Sequence, residues 1–466
     1  SSGLKSPEFK NFIKDNSYWL DDFALFKVLK AGHGGKPWYE WEEGYQLRDG
    51  DALDIVRRDN ADEISFHKWV QWQVYIQFCE AKRYAASKGV FLKGDLPILI
   101  SRDSADVWAH PEFFKLDVSA GAPPDMYCAK GQRWGMPTYN WENIQSDGYR
   151  YHKEKLKYAR NFYDILRVDH VVGLFRIWSI PVNDPAENIG LNGYFDPKDE
   201  SLWEEHGKKI LSMVLENTDM LMCAEDLGII PKACTDTLKE YGMPGNEVQR
   251  WVKDWSLKHD FLEPDGYRKL AVAMLSTHDT TNWAAWWENE AGTVDEALFI
   301  RKCADRGIDY ERVKTRLFDP KLSRRGRLRW NTDIRSKDAY IEMLGKRPEE
   351  LMDFIDLYEN SYKEKEKLWK HLGLKGSMRE RSDSEIVGAA LGITMSSASV
   401  FCIELIFDRL FLAGIIKGDP YLYRVNTPGT VNRSNWSLTI PAPLEDIMSL
   451  EVWSGIKSRV EASGRG

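Results

Sequence analysis

Three carboxylates stand where short apolar runs end. Ile165–Val168 runs into Asp169, Leu221–Ala224 runs into Glu225, and Leu270–Leu275 runs into Thr277, His278 and Asp279. The acids lie 56 and 54 residues apart, so each falls on a different strand–helix unit. In a parallel sheet or barrel, residues just past the strand C-termini line the ligand crevice. Three acids converging there suit glycoside chemistry. One attacks the anomeric carbon, one protonates the leaving oxygen, and the third stabilises a distorted, positively charged transition state. For any single acid the competing reading is a cap on the following helix. Arg167 and His278 beside the acids favour the chemical reading. Arg167 lies two residues before Asp169, on the same strand face. It can hold that carboxylate ionised and equally be its plain ion-pair partner.

These positions need a scaffold that alternates strand and helix. From Val90 onward, short apolar runs such as Phe91–Ile100 alternate with helix-like stretches such as Tyr151–Phe162 and Leu202–Leu215. That is the pattern of a parallel sheet in an α/β fold. Residues 1–85 read as a helical subdomain, with WLDDFALFKVLK and a second long helix that stops at Gly89. Residues 86–282 read as the barrel core with the catalytic strands. Residues 283–390 are highly charged, lack strand runs and read as a helical insertion. Within it Pro348–Trp369 has helical spacing and a Pro start. Residues 391–466 read as the C-terminal end of the barrel, with strand and loop texture returning around Tyr421–Pro443.

Composition limits the function classes. Of 466 residues, 43% are hydrophobic and 29% charged, so a large core can be buried and disorder is excluded. The net charge of −8 argues against nucleic acid or an anionic membrane as the partner. Six scattered cysteines without a Cys-x-x-Cys pair read as reduced thiols in a cytoplasmic protein. The start, SSGLKSPEFK, has no apolar signal core. The greasiest stretch, Phe401–Ile416, contains Glu404, Asp408 and Arg409, which suits an amphipathic core helix better than a membrane span. The 19 tryptophans are mostly core residues, and exposed ones make platforms for sugar rings. GHGGKP at Gly32–Pro37 lacks the Ser or Thr of a phosphate loop. Arg324, Arg325, Arg327 and Arg329 read as a solvated face. His278 and Asp279 have no partner His or Cys nearby in sequence for a metal. No cofactor is implied.

The segments around the acids carry a resemblance. ILRVDHVVGLFRIWSIP, CAEDLGIIP and LSTHDTTNWAAWW resemble the nucleophile, acid/base and third-acid segments of the 4-alpha-glucanotransferases, also called amylomaltases or disproportionating enzymes. GDLPILISRDSADVWAHPEFF and GAPPDMYCAKGQRWGMPTYNWE resemble two further segments of that family. WLDDFALFKVLK, YGMPGNEVQRW and RVNTPGTVNRSNWS fit it as well. The likeness runs in order from about Trp19 to Trp436.

The resemblance implies a (β/α)8-type (TIM) barrel of the alpha-amylase kind with helical insertions. It implies transfer of alpha-1,4-glucan segments between maltooligosaccharides by a retaining double displacement, without metal. Asp169 is the implied nucleophile, Glu225 the acid and then base, and Asp279 the transition-state stabiliser beside His278. Arg167 is the implied partner of Asp169, and Asp103 a carboxylate near the reacting sugar. Tyr127 and Trp134 are aromatic candidates on a loop over the glucan, with ordinary loop packing as the alternative. For the acid role, the Glu225 carboxyl is expected to be raised by burial or by acids such as Asp226. Only 18 residues precede Trp19, whereas the family usually has a longer stretch there. About two βα units, at ~30 residues or more each, are therefore expected to be absent, with the first barrel strands among them. A hydrolase of the same linkage and an inactive glucan-binding homologue are the alternatives on the same motifs. The oligomeric state, donor and acceptor are left open.

Overall fold

The computed structural model describes residues 6–125 and 129–465. The chain divides into two compact units, Ser1–Ala122 with Arg133–Tyr241, and Pro123–Gln132 with Gly242–Gly466.

The first unit opens with α1 (Pro7–Gly32). Ser6 caps it, its hydroxyl accepting the Phe9 N–H at 3.1 Å, and Pro7 occupies the first turn, where no amide donor is needed. Helix α2 (Ala61–Ser87) packs on α1 through Phe9 with Trp72 and Phe12 with Tyr75. It stops where the sequence predicts. Gly89 takes a φ of +71°, and the N–H groups of Gly89 and Val90 return to the carbonyls of Ala86 and Ala85, each at 3.0 Å. That is the reciprocal C-terminal cap which a left-handed glycine permits.

Three parallel strands follow: β1 (Lys93–Leu96), β2 (Ile165–Val168) and β3 (Leu221–Ala224), with β2 in the middle. Helix α3 (Arg150–Ala159) precedes β2, and α4 (Trp203–Glu216) precedes β3. Leu166, Ala224, Leu156 and Leu211 are buried between these layers. The register places Asp95, Arg167 and Cys223 side by side across the three strands.

The second unit has its own three-stranded parallel sheet, with β4 (Gly245–Val248), β5 (Ala271–Met274) and β6 (Phe401–Cys402) in that order. Among the described residues, six strands therefore lie in parallel sheets. Every residue of β5 is buried, which explains its unbroken apolar run. β4 is not evident from sequence because Asn246 and Glu247 interrupt it.

Between β5 and β6 lies a mostly helical stretch beginning with α5 (Trp283–Asn289). An aromatic cluster supplies its core: Phe299, Phe318, Trp330, Tyr340, Phe354 and Tyr358. The segment also contains one antiparallel ribbon, Thr293–Asp295 with Arg327–Arg329, too short and too charged to register as strands in sequence. The helix expected over Pro348–Trp369 is interrupted: Met352–Ser361 ends before Lys363, which has a φ of +55°, and Glu364–His371 resumes.

Two expectations near the C-terminus are corrected. Phe401–Ile416 is not one amphipathic helix. It is β6 followed by α7 (Ile406–Leu412), and Asp408 points inward, fully buried. Helix α6 (Ser384–Met395) precedes it. Tyr421–Pro443 forms a short helical turn and loops with no strand among its described residues. Among the described residues, no helix is long and apolar enough to cross a membrane.

Candidate active site

The first unit gathers three carboxylates, the sequence-predicted Asp169 and Glu225 together with Asp95, around the guanidinium of Arg167. Arg167 projects from the middle strand. Its Nη1 lies 2.7 and 2.6 Å from the two oxygens of Asp95 and 3.0 Å from Asp169 Oδ1. Its Nη2 lies 3.8 Å from Glu225 Oε2. The Arg167 side chain is only 11% exposed, so these interactions are poorly screened. Burial pulls its pKa down. Asp95, followed by Glu225 and Asp169, outweighs that, and the net displacement is upward. The cation is therefore permanent at any working pH.

Backbone bonds lace the strand ends together. The Asp169 N–H donates to the Leu96 carbonyl at 3.2 Å, the Glu225 N–H to Val168 at 2.9 Å, and the Val171 N–H to Glu225 at 3.1 Å. His170 follows the nucleophile candidate in the left-handed region, with φ +42° and ψ +53°, an uncommon conformation for a residue with a side chain. That turn aims its peptide N–H at Glu225 Oε2, 2.7 Å away. Gly173 makes room for it: a Cβ there would lie 2.5 Å from Ile98 Cδ1 and 2.8 Å from His170 Cδ2. Burial, with Arg176 and Arg167 adding to it, pushes the His170 imidazole down to about 4. The ring is thus neutral near pH 7 and acts as packing. Trp134 meets it edge-on, with ring centroids 5.0 Å apart.

Asp103 has different company. It ion-pairs with Lys30 of α1, and its Oδ1 accepts the Trp38 N–H at 3.3 Å. Its contacts therefore tie the helical segment to the loop after β1. Tyr127 lies outside the described residues.

In the second unit, the loop after β5 presents His278 and Asp279. His278 Nε2 is 3.3 Å from Asp279 Oδ2. Asn426 donates from Nδ2 to Asp279 Oδ1 at 2.7 Å, and its N–H donates to the His278 carbonyl at 3.1 Å. Arg424 reaches the Asp279 carbonyl at 3.2 Å. The Trp436 ring, 65% exposed, lies 5.0 Å from the His278 ring.

Sequence reasoning missed Asp95, Asn426, Arg424 and Trp436 as site residues. Asp95 had a signal: an acid inside the apolar run Phe91–Ile100. The others lie in RVNTPGTVNRSNWS, noted only as a segment. Among the described residues, no cluster of three or more His, Cys, Asp or Glu side chains could hold a metal ion.

Comparison with known proteins gives one family. The family model described as 4-alpha-glucanotransferase matches residues 2–444. The 4-alpha-glucanotransferase of Chlamydia pneumoniae is 30% identical over 453 residues, covering 97% of this chain and 70% of the relative. That of Thermus thermophilus is 33% identical over 319 residues, covering 66% and 61%. Among solved structures, the amylomaltase of Streptococcus agalactiae in complex with acarbose aligns with a TM-score of 0.67 at 23% identity, covering 98% of this chain and 74% of the other. The amylomaltase of Corynebacterium glutamicum aligns with a TM-score of 0.61 at 19% identity, covering 99% and 58%. The structural likeness establishes the fold: an α/β chain of the amylomaltase, TIM-barrel kind.

Proposed function

Because the chain belongs to the 4-alpha-glucanotransferase family, we propose that it moves alpha-1,4-glucan segments between maltooligosaccharides by a retaining double displacement. Asp169 is the nucleophile and Glu225 the acid and base. The observation that carries this reading is the shared guanidinium: Arg167 contacts Asp169 at 3.0 Å and approaches Glu225 at 3.8 Å.

In the first step an Asp169 oxygen attacks the anomeric carbon. The glycosidic bond breaks, and Glu225 gives its proton to the leaving oxygen. Arg167 favours the ionised form of Asp169 that this attack requires. The His170 N–H donates to Glu225 Oε2, so that oxygen is an acceptor and the transferable proton belongs on Oε1. In the second step Glu225 takes a proton from a glucan hydroxyl. That oxygen attacks the anomeric carbon, and the bond to Asp169 breaks. Asp279, oriented by Asn426 and His278, is the third acid and holds sugar hydroxyls more tightly as the ring flattens. Trp134 and Tyr127 offer aromatic faces to the glucan, and Asp103 acts near the sugar. A covering loop and aromatic acceptor sites favour a sugar hydroxyl over water. Acarbose, bound by the Streptococcus agalactiae amylomaltase, is expected to bind here and inhibit. The reaction is placed in the cytoplasm.

The test is chromatography of maltotriose incubated with the native chain and with Asp169→Asn. A ladder of longer and shorter glucans from the native chain, absent with the variant, supports the reading. Glucose and maltose alone, with reducing ends rising steadily, would make the chain a hydrolase. A ladder that survives Asp169→Asn would remove Asp169 as the nucleophile.

A further inference from the structure

The segment FCIELIFDRL carries two acids that the reaction described above does not use. Both point at the loop that presents His278 and Asp279. At the loop's start, Glu404 Oε2 accepts the Leu275 N–H at 3.1 Å, and Glu404 Oε1 accepts the Thr394 hydroxyl of α6 at 2.6 Å. At its end, Asp408 Oδ1 of α7 accepts the Trp283 N–H at 2.6 Å. Arg250, which follows β4 and is 3% exposed, links the interior of the loop. Its guanidinium donates to the Ser276 hydroxyl at 3.0 Å, the Thr281 carbonyl at 2.8 Å and the Thr281 hydroxyl at 3.2 Å.

We propose that Glu404 and Asp408 are positioning residues that clamp the two ends of this loop and so fix where Asp279 stands. A carboxylate that accepts a peptide N–H makes a charge-assisted bond, stronger and shorter than one to a neutral acceptor. An acid fully buried at position 408 opposes folding unless such bonds offset its desolvation. Its retention at the foot of a loop that bears a proposed reacting residue is therefore accounted for by what it holds. Seven residues separate Leu275 from Trp283. Fixing both ends removes most of the freedom by which the carboxylate between them could drift, and small displacements at a reacting centre cost large factors in rate. This inference rests on the reading of Asp279 as the third acid.

Amide hydrogen exchange and steady-state kinetics on the full chain test it together. In the native chain the Leu275 and Trp283 amides should exchange as slowly as those of β5. In Asp408→Ala the Trp283 amide should exchange about tenfold faster or more, the scale of one lost charge-assisted bond. The same variant should lower kcat for maltotriose by about tenfold or more while KM moves less than about threefold. Asp408→Asn keeps an acceptor at Oδ1 and should recover most of both losses. Should Asp408→Ala fail to fold, Glu404→Leu carries the same test at the Leu275 amide. Three results would overturn the proposal: native Leu275 and Trp283 amides that exchange like exposed loops, a released Trp283 amide with unchanged kcat, or equal losses in the Ala and Asn variants. Asp279→Asn separates this inference from the reading beneath it. That variant should abolish transfer with both amides still protected. Transfer that survives it would remove Asp279 from the reaction without touching the exchange result.

Discussion

Asp408→Asn should change how the stability of the chain depends on pH. The Asp408 side chain is fully buried. Burial raises its pKa from 3.8 to about 6, against the Trp283 N–H, the Ser276 hydroxyl and the Arg250 guanidinium, which lower it. The folded chain therefore keeps a proton there that the unfolded chain releases at lower pH. Between pH 4 and pH 6 the folded state binds more protons than the unfolded one, so stability falls as pH rises through that window. A displacement from 3.8 to about 6 corresponds to ~3 kcal/mol, at about 1.4 kcal/mol for each tenfold. Asparagine does not titrate. Replacing the acid removes this slope and leaves a constant offset from altered contacts with Arg250 and Ser276. The stability of Asp408→Asn minus that of the native chain should therefore climb by ~3 kcal/mol from about pH 4 to about pH 7 and then level off. Glu404, raised from 4.5 to about 7 mainly by burial, titrates in both proteins and cancels in the difference apart from its coupling to Asp408. The assay is denaturant unfolding followed by tryptophan fluorescence at each pH, read on the transition that includes α5, whose Trp283 and Trp287 report locally. A difference that is flat with pH, or one that falls as pH rises, would refute the argument, whatever the size of the constant offset.

Arg167→Met should cut kcat/KM for maltotriose by about a hundredfold or more, because three carboxylates lose a cation that they share. Arg167→Lys should recover little, since one ammonium cannot reproduce a forked contact to Asp95, Asp169 and Glu225. Gly173→Ala should lower both activity and stability, by about 1–3 kcal/mol in stability, as the new methyl meets Ile98 and the His170 ring; thermal unfolding and maltotriose kinetics would detect it. Asn426→Ala should reduce kcat by about tenfold through loss of the bond to Asp279 Oδ1, with the fold intact by circular dichroism.

The acids that the sequence sets at strand ends share a physical property. Asp169 and Glu225 directly follow short apolar runs, and Asp279 stands five residues beyond the last strand residue, Met274. A strand that is buried on both faces cannot accept a charge without a partner. The acid that ends the run therefore marks where the strand leaves the core, Arg167 within β2 being paired with Asp95 and Asp169, and in parallel sheets that exit is where ligands meet the protein. The same logic places α2's end at Gly89, where only a glycine takes the left-handed cap cheaply. These features are local. A window of a few residues contains the whole cause, so the sequence displays them.

Asp95 and Asp408 are illegible for the opposite reason. Asp95 sits inside a strand, and the sequence around it marks it only as an acid within an apolar run. Its meaning is the register that sets it opposite Arg167, 72 positions away, where one guanidinium takes both its oxygens. Asp408 reads as the polar face of an amphipathic helix because acids at helical spacing usually are that face. In the fold that face turns inward, and the solvent it would have met is replaced by the Trp283 N–H and Arg250. Thr281, Ser276 and Arg250 are likewise unremarkable in sequence and become a network only when β4 and β5 lie side by side. Charged residues in apolar runs are thus ambiguous one at a time. Each is either the place where a run leaves the core or a buried charge whose partner comes from elsewhere, and the two have different consequences for substitution. An acid at a strand exit can be changed with loss of chemistry and little loss of fold. An acid whose partner is supplied by register cannot, because its removal leaves a buried donor unpaired. Asp169→Asn and Asp408→Ala should therefore separate cleanly: the first inactive with native unfolding behaviour, the second less active with its unfolding transition moved. If both variants lost activity and stability in the same proportion, the distinction between exit acids and register acids would fail for this chain.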